Sequence, residues 1–353
     1  MQHEIKSTDL MDAGPDNLAI QDALGKCLQQ VRNHERITAS LSGGWDSDIL
    51  ADMIIRCGGK EKTTFAFFNT GLEYKATKEH IKRLNEKYGI EIQVIPPTKP
   101  IPRCVKEHGV PFWSKHASEM IMRLQKHGFK WEDEPLEVLL KKYPRCRSAL
   151  RWWCNDFKTK KGGPSRLNIE WAPWLKEFMI ENPPPMRISS KCCTYAKKDP
   201  AAKFLIAGDF DLECTGVRKA EGGSRSTSYT TCFTQSLAGP DYYRPLFWLS
   251  NADREAYDEH YGLEHSDCYK VWGMKRTGCA GCPFGKDFEE ELQLAKKYEP
   301  NFYRAANKVF GESYDYTRKY LQFREEKKKL LAEARQRERE GLFPYEEQAS
   351  FEI

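Results

Sequence analysis

The stretch Ile37–Leu50, ITASLSGGWDSDIL, decides how the rest of the chain is read. Ile37 to Leu41 is a short, mostly apolar run of β-type residues, which predicts a buried strand. Ser42, Gly43 and Gly44 break it, and from Asp46 to Ile55 the apolar residues Ile49, Leu50, Met53 and Ile54 fall at helical spacing. A strand that ends in a Ser/Gly turn and feeds a helix makes an anion site. Glycine lets the backbone approach closely, and the free N–H groups of a helix start favour negative charge. Ser42 and Ser47 add hydroxyl donors for a phosphate-sized ligand. A bare Gly-Gly would read as a tight turn with Asp46 or Ser47 as N-cap. The full Ser-Gly-Gly-x-Asp-Ser string at a strand end points instead to a nucleotide phosphate. The G-x-x-x-x-G-K-[ST] spacing of a Walker A loop is absent.

Working outward, residues 16–34 predict a helix whose Ile20, Ala23, Leu24, Cys27, Leu28 and Val31 share one face. Thr63–Phe68 reads as a second buried strand ending in Asn69-Thr70-Gly71-Leu72-Glu73, a polar turn at the strand edge where open α/β sheets place ligands. A helix over Lys75–Tyr88 and a third strand over Ile90–Ile95 follow. Strand, helix, strand, helix, strand at this spacing predicts an α/β fold with a Rossmann-like parallel sheet flanked by helices.

The rhythm then breaks at Pro96, Pro97, Pro100 and Pro102. Residues 104–185 show no βα pattern, with helices expected over His116–Lys126 and Glu134–Lys142. Tyr143–Arg166 is basic and aromatic, carrying Arg145, Arg147, Arg151, Trp152, Trp153, Lys158, Lys160, Lys161 and Arg166. Such a tract can track a nucleic-acid backbone and stack on bases, or form an aromatic-anchored insertion over an active site. Motif density returns at 188–233, with vicinal Cys192 and Cys193, Lys197, and a Thr215-Gly216-Val217-Arg218 strand end continued by a glycine-rich loop with Arg225. The guanidinium fork of Arg218 and Arg225 suits an oxyanion. A short extended piece over Tyr243–Leu246, a helix over Ser250–Tyr261 and a Cys279-Ala-Gly-Cys282 knuckle come next. The mixed-charge run Arg324–Arg339 reads as a solvated surface helix. The expected organisation is a first α/β half over 1–100, a substrate-selecting helical insertion over 101–187, a second half with the cysteines over 188–290, and a helical C-terminal region over 291–353.

The chain has 353 residues, 40% of them hydrophobic and 30% charged, which supports a real core. No apolar run approaches the ~20 residues of a membrane span and the MQHEIKSTDL start lacks signal character, so a cytoplasmic protein with no membrane partner is expected. A net charge of +5 permits a polyanion partner without arguing for one. Twelve cysteines in such a chain speak for metal or redox chemistry before disulfides. Cys27, Cys57, Cys104, Cys146, Cys154, Cys214, Cys232 and Cys268 are scattered and read as small buried hydrophobes. CxxC alone could be a zinc half-site, a dithiol or an iron–sulfur half-site. Adjacent Cys192 and Cys193 suit one tetrahedral zinc poorly.

The Ser42–Ser47 string resembles the PP-loop of the ATP pyrophosphatase and phosphoadenosine phosphosulfate (PAPS) reductase superfamily, whose fold is adenine nucleotide alpha hydrolase-like. Asn69–Glu73 is similar to that family's "DTGLE" turn, with Asn69 in the Asp position. The Cys-Cys…Cys-x-x-Cys set resembles sulfonucleotide reductases of the adenylylsulfate type, in which four thiolates hold one [4Fe–4S] cluster. The resemblance implies Cys192, Cys193, Cys279 and Cys282 as cluster ligands, with Cys268 the alternative fourth ligand and zinc the lesser alternative. It implies a nucleotide site of Ser42, Gly43, Gly44, Asp46, Ser47, Asn69, Thr70, Gly71, Glu73, Gly216, Arg218 and Arg225. Asp46, Lys197 and Arg218 are the candidate catalytic residues, and ATP with Mg²⁺, or PAPS or adenylylsulfate, the candidate ligands.

Two departures bear on the reaction. No cysteine follows Cys282, where sulfonucleotide reductases carry a tail thiol, and Trp45 replaces the lysine frequent in this loop. The leading expectation is therefore ATP-dependent adenylylation and sulfur transfer. The alternatives are sulfonucleotide reduction with another thiol, and a non-catalytic nucleotide-binding protein. A nucleic acid contacted through 143–166 and a sulfur-donor or thiol-reductant protein are the macromolecular partners expected.

Overall fold

The computed structural model describes residues 14–222, 228–275, 277–284 and 287–339. The chain divides into two compact units. One comprises the described parts of Met1–Glu107 and Lys191–Val309, the other those of His108–Ser190 and Phe310–Ile353.

The first unit is built on a six-stranded sheet of order β3-β2-β1-β4-β6-β5. Its strands are β1 Ile37–Leu41, β2 Thr63–Phe68, β3 Ile92–Ile95, β4 Leu212–Thr215, β5 Phe233–Thr234 and β6 Asp241–Tyr243. All neighbours pair parallel except β5 with β6. The expected α/β class with a parallel sheet is what forms. β1 sits between β2 and β4, so the strand order reverses beside it, and the crevice at the C-terminal ends of β1 and β4 is the ligand-binding edge of such a sheet.

Helix α1 (Leu18–Asn33) starts where the Asn17 side chain accepts hydrogen bonds from the N–H groups of Ala19 and Ile20, and it buries the six predicted apolar residues. Helix α2 (Trp45–Arg56) follows the loop after β1, and α3 (Lys75–Tyr88) follows β2. The third strand is shorter than its sequence pattern. Gly89 turns left-handed (φ 57°), and the Ile90 N–H is spent on the Asn85 carbonyl at 3.2 Å, so pairing begins at Ile92. Tyr243–Leu246 also differs from expectation. Pairing ends at Tyr243, and the backbone then turns, with Phe247 N–H bonded to the Arg244 carbonyl at 3.1 Å. Helix α10 (Asn251–Tyr261), which follows α9 (Asp199–Gly208) in helix order, is fixed by a reciprocal cap between Ser250 and Asp253.

The second unit is helical among its described residues, with α4–α8 counted over Ile101–His108, Lys115–Lys126, Leu136–Lys142, Arg147–Trp153 and Leu175–Glu181, the first of these starting in the sheet unit. It also takes the greater part of the long helix Pro300–Arg339, whose surface from Glu325 onward is mostly exposed. Its core is aromatic: Phe112, Phe129, Trp152, Trp153, Phe178, Tyr316 and Tyr320 are buried together. This corrects the reading of Trp152 and Trp153 as base-stacking rings, since they are 2% and 0% exposed and belong to the core. The basic side chains of Arg145, Arg147, Lys158, Lys160, Lys161 and Arg166 stay exposed. Arg151 is engaged by Asp156 at 2.6 Å.

Of the scattered cysteines, Cys27, Cys57, Cys104, Cys146, Cys214 and Cys268 are buried, and Cys154 and Cys232 are partly exposed. Among the described residues, no helix is long and apolar enough to cross a membrane.

Candidate nucleotide and cysteine site

The loop after β1 is shaped by two glycines that no other residue could replace without movement. Gly43 has φ +68°, and a Cβ there would meet the Thr77 methyl at 2.7 Å. A Cβ on Gly44 would lie 3.0 Å from the Tyr269 hydroxyl and 3.2 Å from Thr277 Oγ1. The N-cap of α2 is Gly44, not Asp46 or Ser47, because Ser47 folds back onto the turn. Its hydroxyl accepts from the Gly44 N–H at 3.0 Å and donates to the Gly44 carbonyl at 2.6 Å. Ser42 Oγ is 3.4 Å from Ser47 Oγ and exposed to solvent.

The loop after β4 is clamped onto this turn. Gly216 passes so close to α2 that a Cβ would sit 2.8 Å from the Asp46 carbonyl oxygen. Two residues on, Arg218 is 3% exposed and donates through Nε to Asp46 Oδ1 at 2.8 Å and through a terminal nitrogen to Asn251 Oδ1 at 3.1 Å. Burial raises the Asp46 pKa above the usual carboxylate value, while Arg218 and then Arg254 pull it back. Arg225 lies outside the described residues.

Behind the loop, Asp48 is 2% exposed and accepts on one oxygen from His80 Nε2 at 2.9 Å and from His265 Nδ1 at 2.7 Å. His265 reaches Asp258 through its other nitrogen at 2.5 Å. Burial works against charge on this imidazole, but the Asp258 and Asp48 hydrogen bonds prevail and its pKa is raised to about 9. Trp45 packs on it, with ring centroids 4.9 Å apart. Asp48, His80, His265, Tyr269, Thr277 and Arg254 all border the loop and were missed in the sequence. A second acid directly after the Asp-Ser pair was the one signal available for Asp48.

The turn after β2 holds its own shape. The Asn69 side chain accepts from the Gly71 N–H at 2.9 Å, and Glu73 accepts from the Thr70 N–H at 3.1 Å and the Thr70 hydroxyl at 2.6 Å. Gly71 is left-handed (φ +81°) and abuts Pro100. The next helix, α3, is capped from far along the chain by Glu299, whose carboxylate accepts from the N–H groups of Lys75 and Ala76, both at 2.9 Å. Burial raises the Glu73 pKa, against hydrogen bonding from Thr70 and the charge of Lys197.

Lys197 connects this turn to the cysteines. The chain runs from Lys191–Cys193 through a π-helical turn, Thr194–Lys198, into the helix Asp199–Gly208, and Lys197 sits in that turn. Such single π turns are frequent at functional sites. Desolvation by the surrounding protein works against the ammonium charge, although part of the side chain still meets solvent. Cys279 and Glu73 more than offset it, so the Lys197 pKa is raised, with a hydrogen bond to Cys279 contributing.

The two cysteine pairs occupy one neighbourhood. The Cys192 thiol is hydrogen-bonded to Cys193, and that bond, burial, and the charges of Cys193, Cys282 and Cys279 raise its pKa. Burial and Cys279 push Cys282 up to about 12. Burial also raises Cys279, with Lys197 opposing. Cys268 lies apart, 3.9 Å from Thr77 Oγ1, and its surroundings are Ser266, Thr77, Glu299 and Asp267. Among the described residues no three His, Cys, Asp or Glu side chains are grouped as ligands of one metal ion. A tetrahedral zinc, with Zn–S of about 2.3 Å, needs its sulfurs gathered far more tightly than a cluster does. Four cysteine sulfurs are soft donors of the kind that zinc and iron–sulfur clusters both take.

Residues 36–140 match the family model described as the phosphoadenosine phosphosulfate reductase domain. The chain is 27% identical over 145 residues to adenosine 5'-phosphosulfate reductase 1 of Bacillus subtilis (strain 168), a stretch that is 41% of this chain and 55% of that protein. The chain thus matches about half the length of this curated relative. Among solved structures it resembles the PAPS reductase from Candida auris in a phosphate complex, with TM-score 0.42, 12% identity, and 79% of this chain and 98% of that chain covered. It also resembles the U34-tRNA thiolase NcsA from Methanococcus maripaludis with its [4Fe-4S] cluster, with TM-score 0.34, 13% identity and coverage of 84% and 80%.

Proposed function

We propose that this protein is an enzyme that binds an adenine nucleotide on the loop after β1 and performs ATP-dependent adenylylation and sulfur transfer beside a [4Fe–4S] cluster. The reading rests on Lys197, which lies within electrostatic reach of Glu73 in the turn after β2 and of Cys279 in the knuckle; this supports a single site shared by the nucleotide edge and the cysteines. The match of 36–140 to the PAPS reductase domain supports the nucleotide.

Ser42 and Gly43 would receive the phosphates of the nucleotide, which arrives as its Mg²⁺ complex, while Gly44 and Ser47, bonded to each other, hold the turn in shape. Asn69, Thr70, Gly71 and Glu73 would line the same edge, with Asp46 and Gly216 at its floor. An acceptor oxygen attacks the α-phosphorus, the bond to pyrophosphate breaks, and a sulfur nucleophile then displaces AMP. Lys197 holds a proton and a positive charge where the acceptor meets the phosphates. Arg218 acts as a positioning residue, because its guanidinium is committed to Asp46 and Asn251. Cys192, Cys193, Cys279 and Cys282 would hold the cluster, which when bound supplies a fixed charge and an iron–sulfur surface beside the acceptor. Cluster binding takes thiolates, so loading would release the thiol protons and should be favoured at higher pH.

The match to adenosine 5'-phosphosulfate reductase 1 supports a second reading, reduction of a sulfonucleotide with a thiol from another position or a partner. One anaerobic preparation separates the readings. About four irons and matching sulfide, lost in Cys279→Ser, with ATP converted to AMP and pyrophosphate in the presence of sulfide, supports the first. Sulfite release from adenylylsulfate or PAPS supports the second. Neither turnover with either substrate would leave a nucleotide-binding protein.

A further inference from the structure

The loop Ser42–Ser47 carries one carboxylate, Asp46, and no cationic side chain. A nucleotide polyphosphate brings several negative charges to it, and backbone N–H groups with a helix end offset only part of them. Arg218 is buried in a close ion pair with Asp46, so the two charges cancel locally.

A second guanidinium stands beside them. Arg254, on α10, has its Cζ 4.1 Å from the centroid of Trp45, the residue at the variable position of the loop. Its nearest carboxylate oxygen, Asp46 Oδ1, is 3.7 Å away, beyond hydrogen-bonding distance and already taken by Arg218. Its Nε is buried without an acceptor among the described residues. A guanidinium held over a ring face is desolvated on that side and still has edge N–H groups that suit phosphate oxygens. The cation is also held in place from behind. The first turn of α10 is locked by Ser250–Asp253, and Asp253 accepts from the Asn17 side chain at 2.8 Å.

We infer that Arg254 is a phosphate-binding cation of this loop, held over the Trp45 ring, and that its ligand is the polyphosphate of the bound nucleotide. This rests on the nucleotide reading above and adds a specific residue to it. The helix position of Arg254, more than 200 residues after the loop in sequence, hides this role from any local motif.

Calorimetric titration of the full chain with MgATP, inorganic pyrophosphate and adenosine tests it, using Arg254→Met and Arg254→Lys. The methionine variant should weaken MgATP and pyrophosphate about ten- to a hundredfold and leave adenosine within about twofold. The lysine variant, which keeps the charge and loses the planar fork, should fall between. Wild-type pyrophosphate affinity in both variants would overturn the inference, as would an equal loss for adenosine. If Arg254→Met does not fold, Arg254→Lys decides by the same split: a loss for pyrophosphate alone supports the inference, and no loss overturns it. A wild-type chain that binds MgATP and pyrophosphate with no loss in Arg254→Met overturns this inference alone. A wild-type chain that binds neither MgATP nor pyrophosphate overturns the nucleotide reading with it.

Discussion

Trp45 and Trp153 stand in different units of the chain and differ in their main neighbours, although Tyr269 meets Trp45 edge-on and Lys176 lies 5.6 Å from the Trp153 ring centre. Trp45 is packed between ionic groups, with Arg254 over its face and His265 at 4.9 Å. Trp153 is packed between rings, with Phe129, Trp131 and Trp152 at centroid distances of 5.4, 5.8 and 6.3 Å, and its N–H donates to the Glu132 carbonyl at 2.9 Å. The first unit buries Asp48, Asp52, His80, Arg218 and His265, all at or below 7% exposure, around the start and body of α2. Burying charge is costly unless it is paired, so a fold spends it where a site needs it. The second unit leaves the charges of its basic tract outside and Trp152 and Trp153 inside. The same residue types thus mark a site in one unit and a core in the other.

The comparison can be broken most directly at its two extremes. Asp48→Ala strands two buried imidazoles and should cost about 3–5 kcal/mol. Trp153→Ala empties the centre of the aromatic core and should cost a similar 3–5 kcal/mol. Urea titrations measure both, and a loss below about 1 kcal/mol in either would dissolve the contrast.

A pH titration sharpens it. The folded pKa of His265, about 9, lies above its ordinary value of 6.5, so its stabilisation is complete below about pH 6.5 and is lost as pH rises through about 9. Burial opposes the raise, and the hydrogen bonds and charges of Asp258 and Asp48 set it. The stability of the wild type should therefore fall across this window, and His265→Gln should flatten the fall. Trp153→Ala should lower stability by the same amount at each end.

Gly216→Ala is expected to be milder, about 1–3 kcal/mol, because the new methyl presses on the Asp46 carbonyl. Its diagnostic result is weaker MgATP binding by the refolded variant. The smallest stability effect belongs to the exposed lysines. Lys158→Ala, Lys160→Ala and Lys161→Ala should each change stability by no more than about 0.5 kcal/mol. If the tract contacts nucleic acid, the triple variant loses salt-dependent RNA binding in a gel-shift assay. Unchanged binding would confine Tyr143–Arg166 to the fold.

Much of the sheet unit was legible because its signals are local. Ile37–Leu41, Thr63–Phe68 and Lys75–Tyr88 form the elements their patterns predict, to the residue. Periodicity and turn glycines are properties of neighbouring residues, and they survive into the fold unless a local competitor intervenes. Asn85 was such a competitor for Ile90, and the fold-back of Ser47 was another at the helix cap. The basic-aromatic tract was ambiguous for the converse reason: composition does not say which side of a helix meets solvent.

What the sequence determined by itself is the strand–loop–helix unit at Ile37–Arg56, the turn at Asn69–Glu73 and the presence of two cysteine pairs. Each is set by residue type and spacing over a few positions. Only the tertiary structure decided that Glu299 caps α3, that Lys197 joins Glu73 to Cys279, and that Arg254 stands on Trp45. Those are long-range pairings, fixed by how sheet and helices pack, and no local pattern encodes them.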